Sequence, residues 1–165
     1  GLQISALPDA QPSVGKGEFV EGGVVPESDG AWRAHAKLTK SDVDTFLFAA
    51  FDYAQPVDMR NAACVVVDTS VPEGQHMPAS LLVILRDENG VEYLANTGRP
   101  LNTPGKLRCY VPLGQFERAG WSKGEGSIDF AAITGLRVGW GGYLGTEGET
   151  VEFTLYKPEV AEAGN

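Results

Sequence analysis

The sequence predicts an all-β fold, an antiparallel β-sandwich or jelly roll. Three observations predict it. About eight to ten short apolar or alternating segments recur along the chain, turn-forming clusters of Gly and Pro separate them, and no segment supports a helix longer than a turn or two. At 165 residues this is one domain, long enough to bury a core without disulfides or metals.

Residues 1–16 mix Pro8, Pro12, Gly15, Ser5 and Ser13 with scattered apolar residues and read as a linker or leading segment. The sandwich itself is expected over 17–158, with 159–165 as a tail. Ala31–Leu38 alternates Trp32, Ala34, Ala36 and Leu38 with Arg33, His35 and Lys37, a period of two with one apolar and one charged face. Ser41 offers an N-cap for a helical turn. Thr45–Tyr53, Ala62–Asp68 and Ser80–Arg86 are nearly continuous apolar runs, expected as strands covered on both faces. Asp87-Glu-Asn-Gly90 reads as a hairpin turn returning through Val91–Leu94. Gly105–Pro112, Gly135–Trp140 and Thr150–Tyr156 complete the strands.

Composition narrows the function. The net charge is −9, from 22 acidic against 13 basic residues. That argues against nucleic acid, whose binding rests on Lys and Arg at phosphates, and against an anionic membrane surface. No run approaches the length of a membrane span. Cys64 and Cys109 lie in apolar strand-like runs, as buried thiols or as a cross-strand disulfide.

Catalytic patterns are wanting. Glu147, Glu149 and Glu152 lie in and after a glycine-rich turn without the spacing of a paired-carboxylate glycosidase. There is no Gly-x-Ser-x-Gly elbow, and His35 and His76 form no metal-ligand pattern.

Strand parity sorts the remaining candidates. With Leu107, Cys109 and Val111 inward, Arg108 and Tyr110 face out. With Leu136 and Val138 inward, Arg137 faces out. Arg33, His35 and Lys37 face out together, as do Glu152, Thr154 and Tyr156. These outward residues are either a solvated sheet face or a basic, aromatic-bearing surface for a glycan, whose C–H faces stack on aromatic rings and whose hydroxyls suit Arg. Trp140 continues the core-facing set of its strand or joins the site. Tyr143 sits just beyond it, among Gly141, Gly142, Gly145 and Gly148. Tyr53 reaches either the core or the site. Trp32 is assigned to the core, Trp121 to a plug at the sandwich edge, and 73–78 either to a plain surface loop or to part of the site's rim.

The order of motifs resembles the galactose-binding-domain-like β-sandwiches, a fold of many carbohydrate-binding modules. The resemblance rests on Asp29-Gly-Ala-Trp32, Val57-Asp-Met-Arg before Ala62–Asp68, the Asp87–Gly90 hairpin and Pro104-Gly105 before Leu107–Pro112. It continues in Phe116 with Gly120-Trp121, Ile128-Asp-Phe and Ile133-Thr-Gly-Leu. It implies a secreted, noncatalytic carbohydrate-binding module that holds an appended glycoside hydrolase or lyase to its polysaccharide. The implied partners are thus a glycan and a covalently linked catalytic domain, with no nucleic acid and no membrane. The candidate carbohydrate-binding residues are Arg108, Tyr110, Arg137, Tyr143, Trp140, Tyr53, Arg33 and His35. No cofactor is required; family members often hold a structural calcium through an Asp of the final strand, where this chain offers only Glu152. The alternatives are a module that packs on a neighbouring catalytic domain and a small jelly-roll hydrolase or lyase.

Overall fold

The computed structural model describes residues 1–164. It is an all-β sandwich of two antiparallel sheets, with single-turn 3-10 segments at Ser28–Gly30 and Leu113–Gln115 as the helical elements among the described residues. In chain order the strands are β1 (Leu2–Ala6), β2 (Ser13–Lys16), β3 (Val20–Pro26), β4 (Trp32–Leu38), β5 (Asp44–Val57), β6 (Ala62–Val71) and β7 (Ser80–Asp87). They continue as β8 (Glu92–Pro100), β9 (Gly105–Pro112), β10 (Glu117–Arg118), β11 (Ile133–Tyr143), β12 (Thr150–Leu155) and β13 (Glu159–Ala163).

The first sheet runs β1-β13-β6-β12-β4-β3, with β9 on the free edge of β6. Strands β12 and β13 lie end to end along the other edge of β6, and between them the Tyr156 N–H donates to the Asp68 carbonyl of β6. The second sheet runs β10-β8-β7-β11-β5-β2. Both terminal regions therefore hold strands: β1 and β2 lie in the stretch expected as a linker, and β13 in the expected tail. Their apolar residues are few, so the sequence hid them; backbone pairing with β13, β5 and β6 carries them instead. Ser41 starts no helix, and its hydroxyl accepts from the Glu147 N–H at 2.8 Å.

The alternation of β4 is borne out: Trp32, Ala34, Ala36 and Leu38 are buried between the sheets. Facing them from the second sheet are Leu47, Ala49 and Phe51 of β5, Leu81, Val83 and Leu85 of β7, and Leu136, Val138 and Trp140 of β11. Trp32 meets Phe51 edge-on with centroids 5.3 Å apart. Leu107, expected in the core, is 44% exposed, because β9 pairs only with β6 and its first residues overhang the sandwich edge.

Two buried charged groups fasten the ends of strands. Asp87, 1% exposed, accepts the N–H groups of Asn89 (2.9 Å) and Val91 (3.0 Å) on one oxygen and of Asp129 (2.9 Å) on the other. It closes the β7–β8 hairpin and ties it to the segment entering β11. Arg99, also 1% exposed, donates to Thr69 Oγ1 and to the Thr103 and Gly105 carbonyls, while burial holds its guanidinium below the usual range.

Cys64 and Cys109 are free thiols. Cys109 pairs with Val67, three positions from Cys64, so the two side chains leave opposite faces of the sheet. Thiol titration of unfolded protein should therefore count both cysteines without a reductant, and reductant should leave the melting temperature unchanged. Asp87→Ala leaves three N–H groups without their acceptor and should cost about 3 kcal/mol or more in urea unfolding.

Candidate functional site

The outward face of the second sheet is apolar, which a solvated face is not. Strand order and register make it a grid. Leu94 of β8, Ile84 of β7, Arg137 of β11 and Ala50 of β5 form one row; Asn96, Leu82, Gly139 and Phe48 form the next; Gly141 pairs with Phe46, and Tyr143 with Asp44. A Cβ at Gly139 would lie 2.7 Å from the Phe48 ring and 2.0 Å from the Leu47 carbonyl oxygen. At Gly141 it would lie 3.0 Å from Phe46 Cβ. Bare backbone in β11 thus leaves room for two Phe side chains, with ring centroids 6.4 Å apart. The result is a groove of about 640 Å³ floored by Phe46, Phe48, Leu82, Ile84 and Leu94.

Two exposed aromatic residues flank this floor. Trp121 is 53% exposed and Tyr143 80% exposed, and both line the groove. The turn that carries Trp121 is held to β8, because Glu92 N–H donates to Ser122 Oγ at 2.9 Å and Ala119 N–H donates to the Glu92 carbonyl at 3.0 Å. The Tyr143 segment is held by Thr45, whose hydroxyl donates to the Leu144 carbonyl at 3.0 Å.

The groove's polar groups are few. Arg137 Nη1 stands 3.7 Å from Glu92 Oε2, and that oxygen is buried without a hydrogen-bond partner. Asp44 stands at the lip. Two carboxylates against one guanidinium leave the lining without net positive charge.

The eight sequence candidates do not form one site. Arg137 and Tyr143 lie in this groove. Trp140 is 1% exposed and Tyr53 8% exposed; both point between the sheets, Trp140 because it shares the parity of Val138 and Leu136. The groove is closed to both. Arg33, His35, Arg108 and Tyr110 lie on the outward face of the other sheet, across the whole sandwich. There the arginines are matched by carboxylates from neighbouring strands and the turn after β3. Arg33 pairs with Glu27 (3.2 Å) and Glu152 (3.4 Å), and Arg108 with Asp68 (2.8 Å) and Glu159 (3.3 Å). The hydrogen bond to Asp68 pushes the Arg108 guanidinium up. This face is self-neutralised rather than basic.

Trp121, expected as a structural plug, is instead a wall of the groove, because its turn hangs from the backbone of β8 outside the core. Residues 73–78 line no part of it; Gln75 fastens that loop to Leu101 and Glu152. Phe46, Phe48, Leu82, Ile84, Leu94 and Glu92 escaped the sequence reading. Their signal was the failure of β5 and β7 to alternate, which parity turns into an outward apolar face. No group of three or more metal-ligating side chains occurs among the described residues.

No protein family matches the chain by sequence, and no curated protein does. Solved structures match in fold. The family 11 carbohydrate-binding module of the cellulosomal cellulase Lic26A-Cel5E of Clostridium thermocellum superposes with TM-score 0.65 at 11% identity, over 99% of this chain and 95% of that one. The same family's module from that organism, in complex with a β-1,3-1,4-mixed-linked tetrasaccharide, gives 0.51 at 10% identity, over 98% and 89%. The family 30 module of the C. thermocellum cellulase Cel9D-Cel44B gives 0.61 at 12%, over 99% of both chains. The agarase AgWH50C gives 0.61 at 15%, over 98% of this chain but 25% of its own length. These likenesses establish the jelly-roll sandwich of carbohydrate-binding modules as the fold.

Of the three tryptophans, Trp121 alone is more than half exposed, against 9% for Trp32 and 1% for Trp140. Acrylamide should therefore quench one class of emission strongly, and Trp121→Phe should remove that class while leaving the blue-shifted remainder.

Proposed function

We propose that the protein is a noncatalytic carbohydrate-binding module and that its site is the groove on the outward face of the second sheet. One observation carries the reading: exposed Trp121 and Tyr143 flank an apolar, strand-borne floor that is largely preformed. A pyranose ring has apolar C–H faces that fit such a floor, and a hydroxyl rim that suits the Arg137 guanidinium, which is partly exposed in the groove beside the enclosed Glu92 Oε2. The four strands β8, β7, β11 and β5, spaced roughly 4.8 Å apart, give about 14 Å of floor, enough for a short run of sugar rings. The fold likeness to modules of cellulases, one solved with a tetrasaccharide, supports the same reading.

The absence of net positive charge in the groove favours a neutral glycan over a sulfated or uronic one. The further reading is of an accessory module: secreted, and covalently joined to a polysaccharide-degrading enzyme that it holds near its polymer. The agarase, in which the similar region is a quarter of the chain, supports that arrangement. Single modules of this kind are expected to bind weakly and to gain by multivalency along the polymer. No cofactor enters this proposal.

The apolarity of Phe46, Phe48, Leu82, Ile84 and Leu94 favours one second reading, a face that packs against a neighbouring domain. Affinity electrophoresis against neutral and anionic polysaccharides, with and without a calcium chelator, separates the two. Retardation by a neutral polymer is expected, unchanged by chelator. Trp121→Ala and Tyr143→Ala should each weaken it by about tenfold, roughly 1–2 kcal/mol. Arg108→Ala and Arg33→Ala, on the opposite face, should leave it unchanged. Free migration through every gel would favour the packing face.

A further inference from the structure

A second pocket lies at one end of the sandwich, independent of the groove. Its volume is about 340 Å³, at the low end of the roughly 300–1,000 Å³ that holds small ligands. Trp32 of β4 and Phe51 and Tyr53 of β5, all core residues, close its base. The segment 7–11, which crosses from β1 in one sheet toward β2 in the other, forms one wall. Asp9 on that segment pairs with Lys157, at the break between β12 and β13. Gln11 is exposed at the same wall.

Tyr53 is the unusual member. It is 8% exposed, its burial raises the hydroxyl pKa, and it lines the pocket without being an enclosed unsatisfied group. It sits where β5 leaves register with β11: Asp52 pairs with Gly135, and the next pair is Val57 with Ile133. Glu92 Oε2 is the sole fully enclosed side-chain oxygen or nitrogen without a partner among the described residues. The Tyr53 hydroxyl therefore reaches open space, and the space beside it is this pocket. The same reasoning applies to the Trp32 indole N–H, also without a partner among the described residues. Two donors that face an open cavity are free to bond whatever occupies it, water or a ligand hydroxyl that displaces the water.

We propose that this pocket is a second binding site, for a single neutral sugar ring. One apolar edge of the ring would meet Trp32, which stands edge-on to the buried Phe51, and its hydroxyls would bond the Tyr53 O–H, the Trp32 N–H and the Gln11 amide. Asp9 and Lys157 cancel each other's charge, which disfavours a carboxylate or phosphate ligand. Because core residues close the base, the pocket takes a chain end or a free monosaccharide, never a chain passing through.

Titration with methyl glycosides of glucose, galactose, xylose and mannose, followed by ¹H–¹⁵N spectra, tests this directly. At least one glycoside should shift the Trp32 indole signal saturably, with a midpoint that does not depend on any response of Trp121. Parallel titration with the free sugars separates the two sources: a response to the glycoside marks a chain-end site, and a response to the free sugar alone marks a monosaccharide site. Tyr53→Phe, which removes only the hydroxyl, should weaken binding roughly tenfold, the effect of about one hydrogen bond. Gln11→Trp, an exposed change that fills the mouth without touching the core, should abolish it. Trp121→Ala should leave it intact. No shift at Trp32 with any sugar, or an unaltered titration in both Tyr53→Phe and Gln11→Trp, would overturn the proposal without touching the groove.

Discussion

Strand β11 is the constraint on which the rest depends. It lies between β5 and β7 in the middle of its sheet, and its two faces have opposite character. Inward it carries Leu136, Val138 and Trp140, which fill the sandwich; outward it carries Gly139 and Gly141, which carry nothing. Glycine is ordinarily a weak strand residue, since it packs no side chain and loses more backbone freedom than any other. Here that deficiency is what allows Phe48 and Phe46 to occupy the adjoining space. One strand thus sets both the thickness of the core and the shape of the outer surface.

The two outward faces of the sandwich divide polarity between them. The first sheet places each arginine opposite or diagonal to a carboxylate, in Arg33 with Glu27 and Glu152 and in Arg108 with Asp68 and Glu159. Exposed pairs of this kind contribute little to stability. Their consequence is local neutrality, which leaves that face little to offer a charged ligand. The second sheet has the inverse balance: much apolar surface, two exposed aromatic side chains and a single ion pair, Arg137 with the enclosed Glu92 Oε2.

The fold was largely legible because a sandwich repeats one simple pattern, and β4 displays it in full. Parity within a strand was legible too: Arg108, Tyr110 and Arg137 face outward as their neighbours dictate. What could not be read was which strands share a sheet. Arg137 and Arg108 have the same parity and similar company, yet face opposite directions because β11 and β9 belong to different sheets. Partnership across the sheet is a long-range property with no local signature, so residues from two surfaces were grouped as one. The short strands β1, β2 and β13 were missed for a related reason. β1 and β2 are edge strands, which need fewer apolar residues, β13 is an inner strand of only five residues, and backbone pairing leaves no trace in composition.

The groove is built from parts that differ in freedom. Its floor is borne on four hydrogen-bonded strands, where Phe48 is 8% exposed and has few rotamers left to lose. Tyr143 is at the other extreme: 80% exposed, at the end of β11, with Gly142 before it and Gly145 soon after, both at positive φ. Whatever settles on this surface finds the floor already ordered and must arrest Tyr143 at the cost of its entropy. That asymmetry sets a thermodynamic character for the surface: contact with the floor is nearly free of ordering cost, whereas closure by Tyr143 must come from enthalpy and weakens on warming.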